Sequence, residues 1–294
     1  MNIISHRAQR TLARPAEITG IGYLTGRDIH LRFRPAPADT GVVFVRLDLG
    51  PQAHLPAHID QVTGTQRRTT LGQPPLAVGL VEHVLAALAG LRIDNCLIEL
   101  DAPEPPGLDG SAWGFVDVLR DAGLALQTGR RAVCTVDASV IVRDQQSTLA
   151  LHPSTEPGLR ISYLLDYGAC SPIVRQRHTQ EITPEAFAND VASCRTFLLE
   201  EEVAALRKQG LGARTKASDL LVFGAHGPID NSLRYANEPA RHKVLDLVGD
   251  LSLLGHDLSG HVVAYRTGHP HNAELVRQLH QKIKEGRPKG KRAA

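Results

Sequence analysis

Within Asn237 to Gly255 (NEPARHKVLDLVGDLSLLG), His242, Asp246 and Asp250 recur at every fourth residue, with Lys243 beside the first. On a helix of 3.6 residues per turn they form one stripe, and an imidazole and a carboxylate four residues apart can bind one metal ion from a single face. An amphipathic helix with a solvated polar face would carry the same residues without any chemistry. A second anomaly is Gly79 to Leu91 (GLVEHVLAALAGL), where every residue except Glu82 and His83 is apolar or small. A helix apolar all round is normally buried, and a buried carboxylate is costly unless it is paired. A lone core histidine bonded to a backbone carbonyl would be ordinary; next to an equally misplaced Glu82, a functional role is the better reading. If His83, His242 and Asp246 meet, they make a three-ligand zinc site with one position open to water. Zinc lowers the pKa of such a water to about 7. Glu82 would lie beside the metal as a general base, and Asp250, one turn beyond Asp246, could orient a cation or an imidazole. HEXXH is absent, so this is not an ordinary zincin protease.

The elements that must position these groups come in two similar series. Residues 11–47 read as strands, with apolar and polar side chains alternating through Ile29 to Arg34 and turns at Gly20 to Gly26 and Pro35 to Gly41. The turn GIGYLTG has neither the GxGxxG spacing nor the GK[ST] ending of a phosphate loop. The helix at 79–91 is followed by a strand over 95–100, a turn over 101–110 and a helix over 111–122 closed by Gly123. LQTGRRA (126–132) has the composition of a linker. Strands follow over 133–143, 147–151, 159–166 and 175–180. Helices are expected from Thr183, over 199–208 and over 237–255, with Asn237 as its cap, and a strand over 260–265 follows. After a turn at 266–271, a last helix runs over 272–285 and leads into a basic tail. Strands, long helix, strand, turn and shorter helix thus occur twice, so the odd polar residues fall on equivalent helices. A pseudo-twofold arrangement would bring them together at one interface.

At 294 residues the chain is long enough for about two domains, and 42% hydrophobic with 22% charged residues describes a soluble globular protein. A net charge of +2 and sparse aromatics argue against nucleic-acid binding. Cys96, Cys134, Cys170 and Cys194 form no CxxC pair, as expected of reduced thiols in a cytoplasm. MNIISHRAQR lacks the apolar core of a signal peptide, and no run approaches the ~20 apolar residues of a membrane span. A cytoplasmic protein is expected, working as a monomer.

VEHVLAALAGLRIDN with DAPEPPGLDGSA, then CRTF, RHKVLDLVGDLSLLGH and AYRTGH resemble, in order and over nearly the whole chain, the UDP-3-O-acyl-N-acetylglucosamine deacetylases. These are the zinc amidohydrolases of lipid A biosynthesis. The resemblance implies an α+β fold of two similar domains, with helices sandwiched between two outer β-sheets. We expect a first domain over 1–126, a second over 132–285 with an acyl-passage insertion over about 198–224, and the tail over 286–294. The resemblance further implies that His83, His242 and Asp246 hold Zn2+ (or Fe2+, which the same donors suit) and that Glu82 is the base. His269 would be the acid and electrostatic partner of the tetrahedral intermediate, with Asp250 orienting it. Thr196 would face the oxyanion, Lys243 and Phe197 the substrate, and Arg266 the diphosphate. Tyr167, next to Asp166, would stack on the uracil. The partner is then a UDP-linked acylated amino sugar.

Two departures concern the substrate. The family's first turn usually reads G-L-H-[ST]-G, and here Leu24 replaces the histidine. Ser147 stands where the family often has a lysine for the nucleotide. The insertion is rich in charge, although Leu198, Leu199, Val203, Leu206, Leu211, Leu220 and Leu221 could line a channel. Two other readings therefore stand beside the first. One is a zinc amidohydrolase acting on another N-acylated sugar or amide; the other is a non-catalytic binding protein.

Overall fold

The computed structural model describes residues 1–217 and 219–286. Beyond Gly286, the expected basic tail lies outside them. Two five-stranded sheets dominate. The first runs in the order Ala16–Ile21, Asp28–Pro35, Cys96–Leu100, Val42–Arg46, His54–Pro56. The second runs Val140–Arg143, Thr148–His152, Gly260–Tyr265, Leu159–Leu165, Gln176–Glu181. Taken by position in the chain, both orders are first, second, fifth, third, fourth. In both sheets the fifth and third strands pair in parallel, while the other neighbours are antiparallel. The two series read from the sequence therefore share one topology.

Six α-helices lie among the described residues: α1 Glu82–Gly90, α2 Trp113–Ala122, α3 Pro184–Asp190, α4 Glu200–Lys208, α5 Glu238–Ser252 and α6 His269–Gly286. α1 and α5 precede the fifth strand of their sheets, and α2 and α6 follow it. α5 packs on the strands Leu159–Leu165 and Gln176–Glu181, α6 on Val140–Arg143 and Thr148–His152, and α2 on Ala16–Ile21. α1, α2, α5 and α6 form the inner layers between two outer sheets, as the α+β reading implies, whereas α4 packs on a small separate sheet that includes Phe197–Leu199 and Leu221–Gly224. α1 and α5 pack against each other at the centre. Their approach is set by Gly249: a Cβ there would lie 2.1 Å from the Glu82 carbonyl oxygen. Only a residue without a side chain allows the backbones so close.

Several boundaries differ from the sequence reading. Residues 126–132 are part of a long strand, Leu124–Thr135, not an irregular linker. It pairs antiparallel with Asn2–Leu12 and parallel with Asp257–Leu258, so the first, middle and late parts of the chain share one sheet. Arg7 holds this junction, binding Asp94 at 2.7 Å and Asp257 at 2.6 Å. Asn237 stands at the N-cap of α5 but does not cap it through its side chain, which instead donates to the Arg177 carbonyl and accepts from Arg241. α5 ends at Ser252, short of Gly255, and α6 starts at His269, so the expected turn over 266–271 is shorter.

Candidate active site

The stripe on α5 is not solvated. His242 is 2% exposed, Asp246 3% and Asp250 1%, because α1 covers that side while Val244, Leu245 and Leu247 are buried in the core. Glu82, in the first turn of α1, is 3% exposed, and His83 beside it is half-buried. The two helices thus bring His83, His242 and Asp246 together: one ligand atom from each lies within 4.8 Å of the others. The Nε2 atoms of His83 and His242 face each other at 3.0 Å.

The environment favours the protonation states a cation needs. Burial drives the pKa of His242 down to about 3, so its imidazole is neutral with a free lone pair. Burial opposes ionisation of Asp246, but its polar neighbours His242 and Lys243, the latter a full cation, outweigh it and hold the carboxyl well below its usual range. Lys243 Nζ donates to Asp246 Oδ2 at 2.9 Å. Asp246 Oδ1 and His242 Nδ1 are buried without a hydrogen-bond partner. Two inward-facing imidazole nitrogens and an orphaned carboxylate oxygen fit a divalent metal. With metal–nitrogen bonds of about 2.0–2.1 Å, a tetrahedral ion would set the two nitrogens about 3.3 Å apart.

On the other side of Glu82 is a second, tightly bonded group. Glu82 Oε2 accepts the Thr69 N–H at 3.0 Å, and Oε1 lies 3.9 Å from His269 Nε2. Burial raises the pKa of Glu82. His269 Nδ1 meets Asp250 Oδ2 at 2.7 Å. Burial alone would deprotonate His269, but the Asp250 carboxylate prevails and lifts its pKa to about 9. Asp250 accepts further bonds from Thr69 Oγ1 at 2.6 Å and Asn272 Nδ2 at 2.8 Å. Thr69 and Asn272 are absent from the sequence reading. Thr69 lies in the run RRTT and Asn272 in a turn-like HPHN, and neither stands out by type or spacing.

Glu82, His83, His242, Asp246 and His269 open onto one cleft of about 1280 Å³. Thr196 and Phe197 line it from the strand entry at Phe197–Leu199, and Lys243, Tyr167 and Arg266 line it as well, with Lys243 and Tyr167 next to the Phe197 ring. Arg195, one residue before Thr196, is fixed by a buried bond to Glu238 in the first turn of α5, with Nε to Oε1 at 2.8 Å. The Phe197 ring meets His242 and Tyr167 edge-on, both at 6.0 Å between centroids. Tyr167 is 42% exposed, which leaves ring surface free. All the predicted site residues except Asp250 line the cleft, and Asp250 stands behind His269. Of the seven apolar residues expected in the passage, Leu198, Val203, Leu206, Leu211 and Leu220 line the cleft. Leu221 is instead fully buried in the core, and Leu199 packs against it. Ser147 also borders the cleft, but its hydroxyl donates to the Arg266 carbonyl at 2.8 Å. The turn carrying Leu24 is held by buried Glu104, which accepts from the Leu24 and Thr25 N–H groups.

The family model described as UDP-3-O-acyl N-acetylglycosamine deacetylase matches residues 9–281. The chain is 39% identical to the UDP-3-O-acyl-N-acetylglucosamine deacetylase of a Geobacter species, over 92% of this chain and 88% of that one. The Chlamydia abortus enzyme of the same name is 38% identical, over 93% and 97% respectively. A bifunctional LpxC/FabZ enzyme of Chlorobaculum tepidum is also 38% identical over 92% of this chain, which spans only 64% of that longer protein. A match over nearly all the described residues, with this degree of identity, means that the chain belongs to the UDP-3-O-acyl N-acetylglycosamine deacetylase family.

Proposed function

We propose that the protein is a zinc-dependent amidohydrolase that removes the N-acetyl group of UDP-3-O-acyl-N-acetylglucosamine, releasing acetate, in lipid A biosynthesis. The observation that carries this reading is the convergence of His83, His242 and Asp246 on one point of a cleft beside Glu82 and His269. His83, His242 and Asp246 would hold the ion, and Fe2+ suits the same donors. When bound, zinc supplies Lewis acidity and makes water acidic enough to attack at neutral pH.

Glu82 takes the proton of the attacking water. The Thr69 N–H fixes one carboxylate oxygen and leaves the other toward the cleft. His269, kept protonated by Asp250, stabilises the negative charge that develops and then protonates the departing sugar amine. Thr196 offers its hydroxyl to the oxyanion. Lys243 and Phe197 contact the substrate, Arg266 the diphosphate and Tyr167 the uracil, while the apolar residues of the insertion receive the acyl chain. We divide the chain into domains over 1–126, supplying Glu82 and His83, and 132–285, supplying His242, Asp246 and His269. All these groups come from one chain, which supports a monomer as the working unit. No helix among the described residues is long and apolar enough to cross a membrane, and we place the reaction in the cytoplasm.

One observation favours a second reading, an amidohydrolase for another N-acylated sugar: Ser147 spends its hydroxyl on the Arg266 backbone and offers the nucleotide no cation. Acetate release from UDP-3-O-acyl-N-acetylglucosamine, measured beside metal content, tests the proposal. Zinc-replete enzyme that releases no acetate from this substrate, yet deacetylates another N-acylated sugar, would overturn the first reading in favour of the second.

A further inference from the structure

A second group of metal-type donors, His58, Asp60 and His280, stands apart from the cleft, and none of the three lines it. His58 and Asp60 lie at the short helical turn Ile59–Gln61, before α1 in the chain, and His280 lies toward the C-terminal end of α6. One ligand atom from each residue lies within 4.8 Å of the others. His58 Nδ1 and His280 Nε2 each stand 3.5 Å from Asp60 Oδ2, and the two rings meet edge to face with centroids 4.6 Å apart.

Packing alone does not account for this arrangement. Both ring nitrogens of His280 are shut off from solvent, and neither finds a hydrogen-bond partner among the described residues. Buried polar atoms without partners are rare and costly in folded proteins. Lys284 Nζ also lies 3.5 Å from Asp60 Oδ2, so the carboxylate already attracts a cation at this spot. Burial lowers the pKa of both histidines, and Lys284 lowers them further. Their lone pairs are then available at neutral pH.

We propose that His58, Asp60 and His280 form a second divalent-metal site, which staples the Ile59–Gln61 turn to α6. Two imidazoles and one carboxylate suit zinc, cobalt or nickel; magnesium and calcium prefer all-oxygen sites. Binding gives His280 Nε2 the partner it lacks and displaces Lys284 from Asp60. It also competes with the 3.2 Å bond that His58 Nδ1 accepts from the Asp60 N–H. Asp60 is largely exposed, which suits a carboxylate that binds an ion rather than one that works as a buried general base, and the role of the site is mechanical. The Ile59 N–H already bonds the Leu253 carbonyl just past α5. An ion here would tie the same turn to α6, whose first residue is His269.

The test is a cobalt titration of the chelator-stripped full chain, comparing wild type with His280→Ala, His58→Gln and His242→Ala. Wild type should bind one more equivalent than either His280→Ala or His58→Gln. His242→Ala should keep that equivalent and lose the one in the cleft. With the cleft already loaded, added zinc should raise the unfolding temperature of wild type and leave that of His58→Gln unchanged. Equal stoichiometry in wild type, His280→Ala and His58→Gln would overturn the proposal. His58→Gln lies in a surface turn, so it decides the matter if His280→Ala disturbs α6.

Discussion

At the scale of residues, Glu82 and His269 are two buried groups whose pKa values are pushed in useful directions by different causes. Burial, helped by the Asp246 and Asp250 carboxylates, raises the pKa of Glu82, the direction a general base needs. Glu82→Gln keeps the shape and the Thr69 contact, so turnover should fall about 10²–10⁴-fold. Bound metal and unfolding temperature should stay near wild type, as metal analysis and calorimetry would record. His269 owes its pKa of about 9 to Asp250, so activity should decline as pH rises through about 9, where the acid form is lost. The sign for stability is the same. A raised folded pKa makes the His269–Asp250 contact fully stabilising below the unfolded histidine value of about 6.5, and that contribution disappears as pH rises through about 9. Asp250→Asn should move the alkaline limb of the rate profile to lower pH, which a pH–kcat series would reveal. His83, His242, Asp246 and Asp250 were legible in the sequence because helical spacing makes a stripe of them and because Glu82-His83 interrupts an apolar run. Thr69 was not, since it acts partly through its backbone N–H, which any residue type but proline would provide.

At the scale of elements, the contact between α1 and α5 decides the geometry, and its narrowest point is Gly249. A methyl group there would meet the Glu82 carbonyl at 2.1 Å and force the helices apart. Gly249→Ala should cost about 1–3 kcal/mol of stability, seen as a lower urea midpoint, and should also weaken metal binding. The loss of metal sets it apart from an ordinary overpacking mutation. Helix and strand types were readable where the period was clear, as in Ile29 to Arg34 and in α5. The strand Leu124–Thr135 was missed because QTGRR has the residue types of a linker, and its pairing with Asn2–Leu12 depends on partners over a hundred positions away. The early start of α6 was missed for a similar reason. Pro270 fits the first turn of a helix as well as it fits a loop.

At the scale of the whole molecule, the cleft gathers His83 from one repeat and His242 and Asp246 from the other, the three residues proposed to hold the ion. An ion bound there stabilises the folded chain by mass action, about 4 kcal/mol at a thousandfold excess over Kd. Chelation should lower the melting temperature of wild type, and His242→Ala should melt low and keep only the part of the response to chelator and zinc that the His58, Asp60 and His280 group gives; scanning calorimetry would separate the two. Repetition was visible in the order of elements, whereas the shared strand order of the sheets depends on pairings that local sequence does not encode. The sheet that joins Asn2–Leu12, Leu124–Thr135 and Asp257–Leu258 has a consequence for synthesis. A nascent chain emerges from the ribosome at about 5–20 residues per second, so its opening strand waits several seconds for the middle one and longer for the last. Until α5 emerges, α1 has only α2 and α3 beside it and lacks its main partner, so the side that carries Glu82 is left uncovered on an otherwise oily surface. Truncated products ending before α5 should therefore be captured by chaperones and hold no ion in the cleft, and competence should arise abruptly, late in translation.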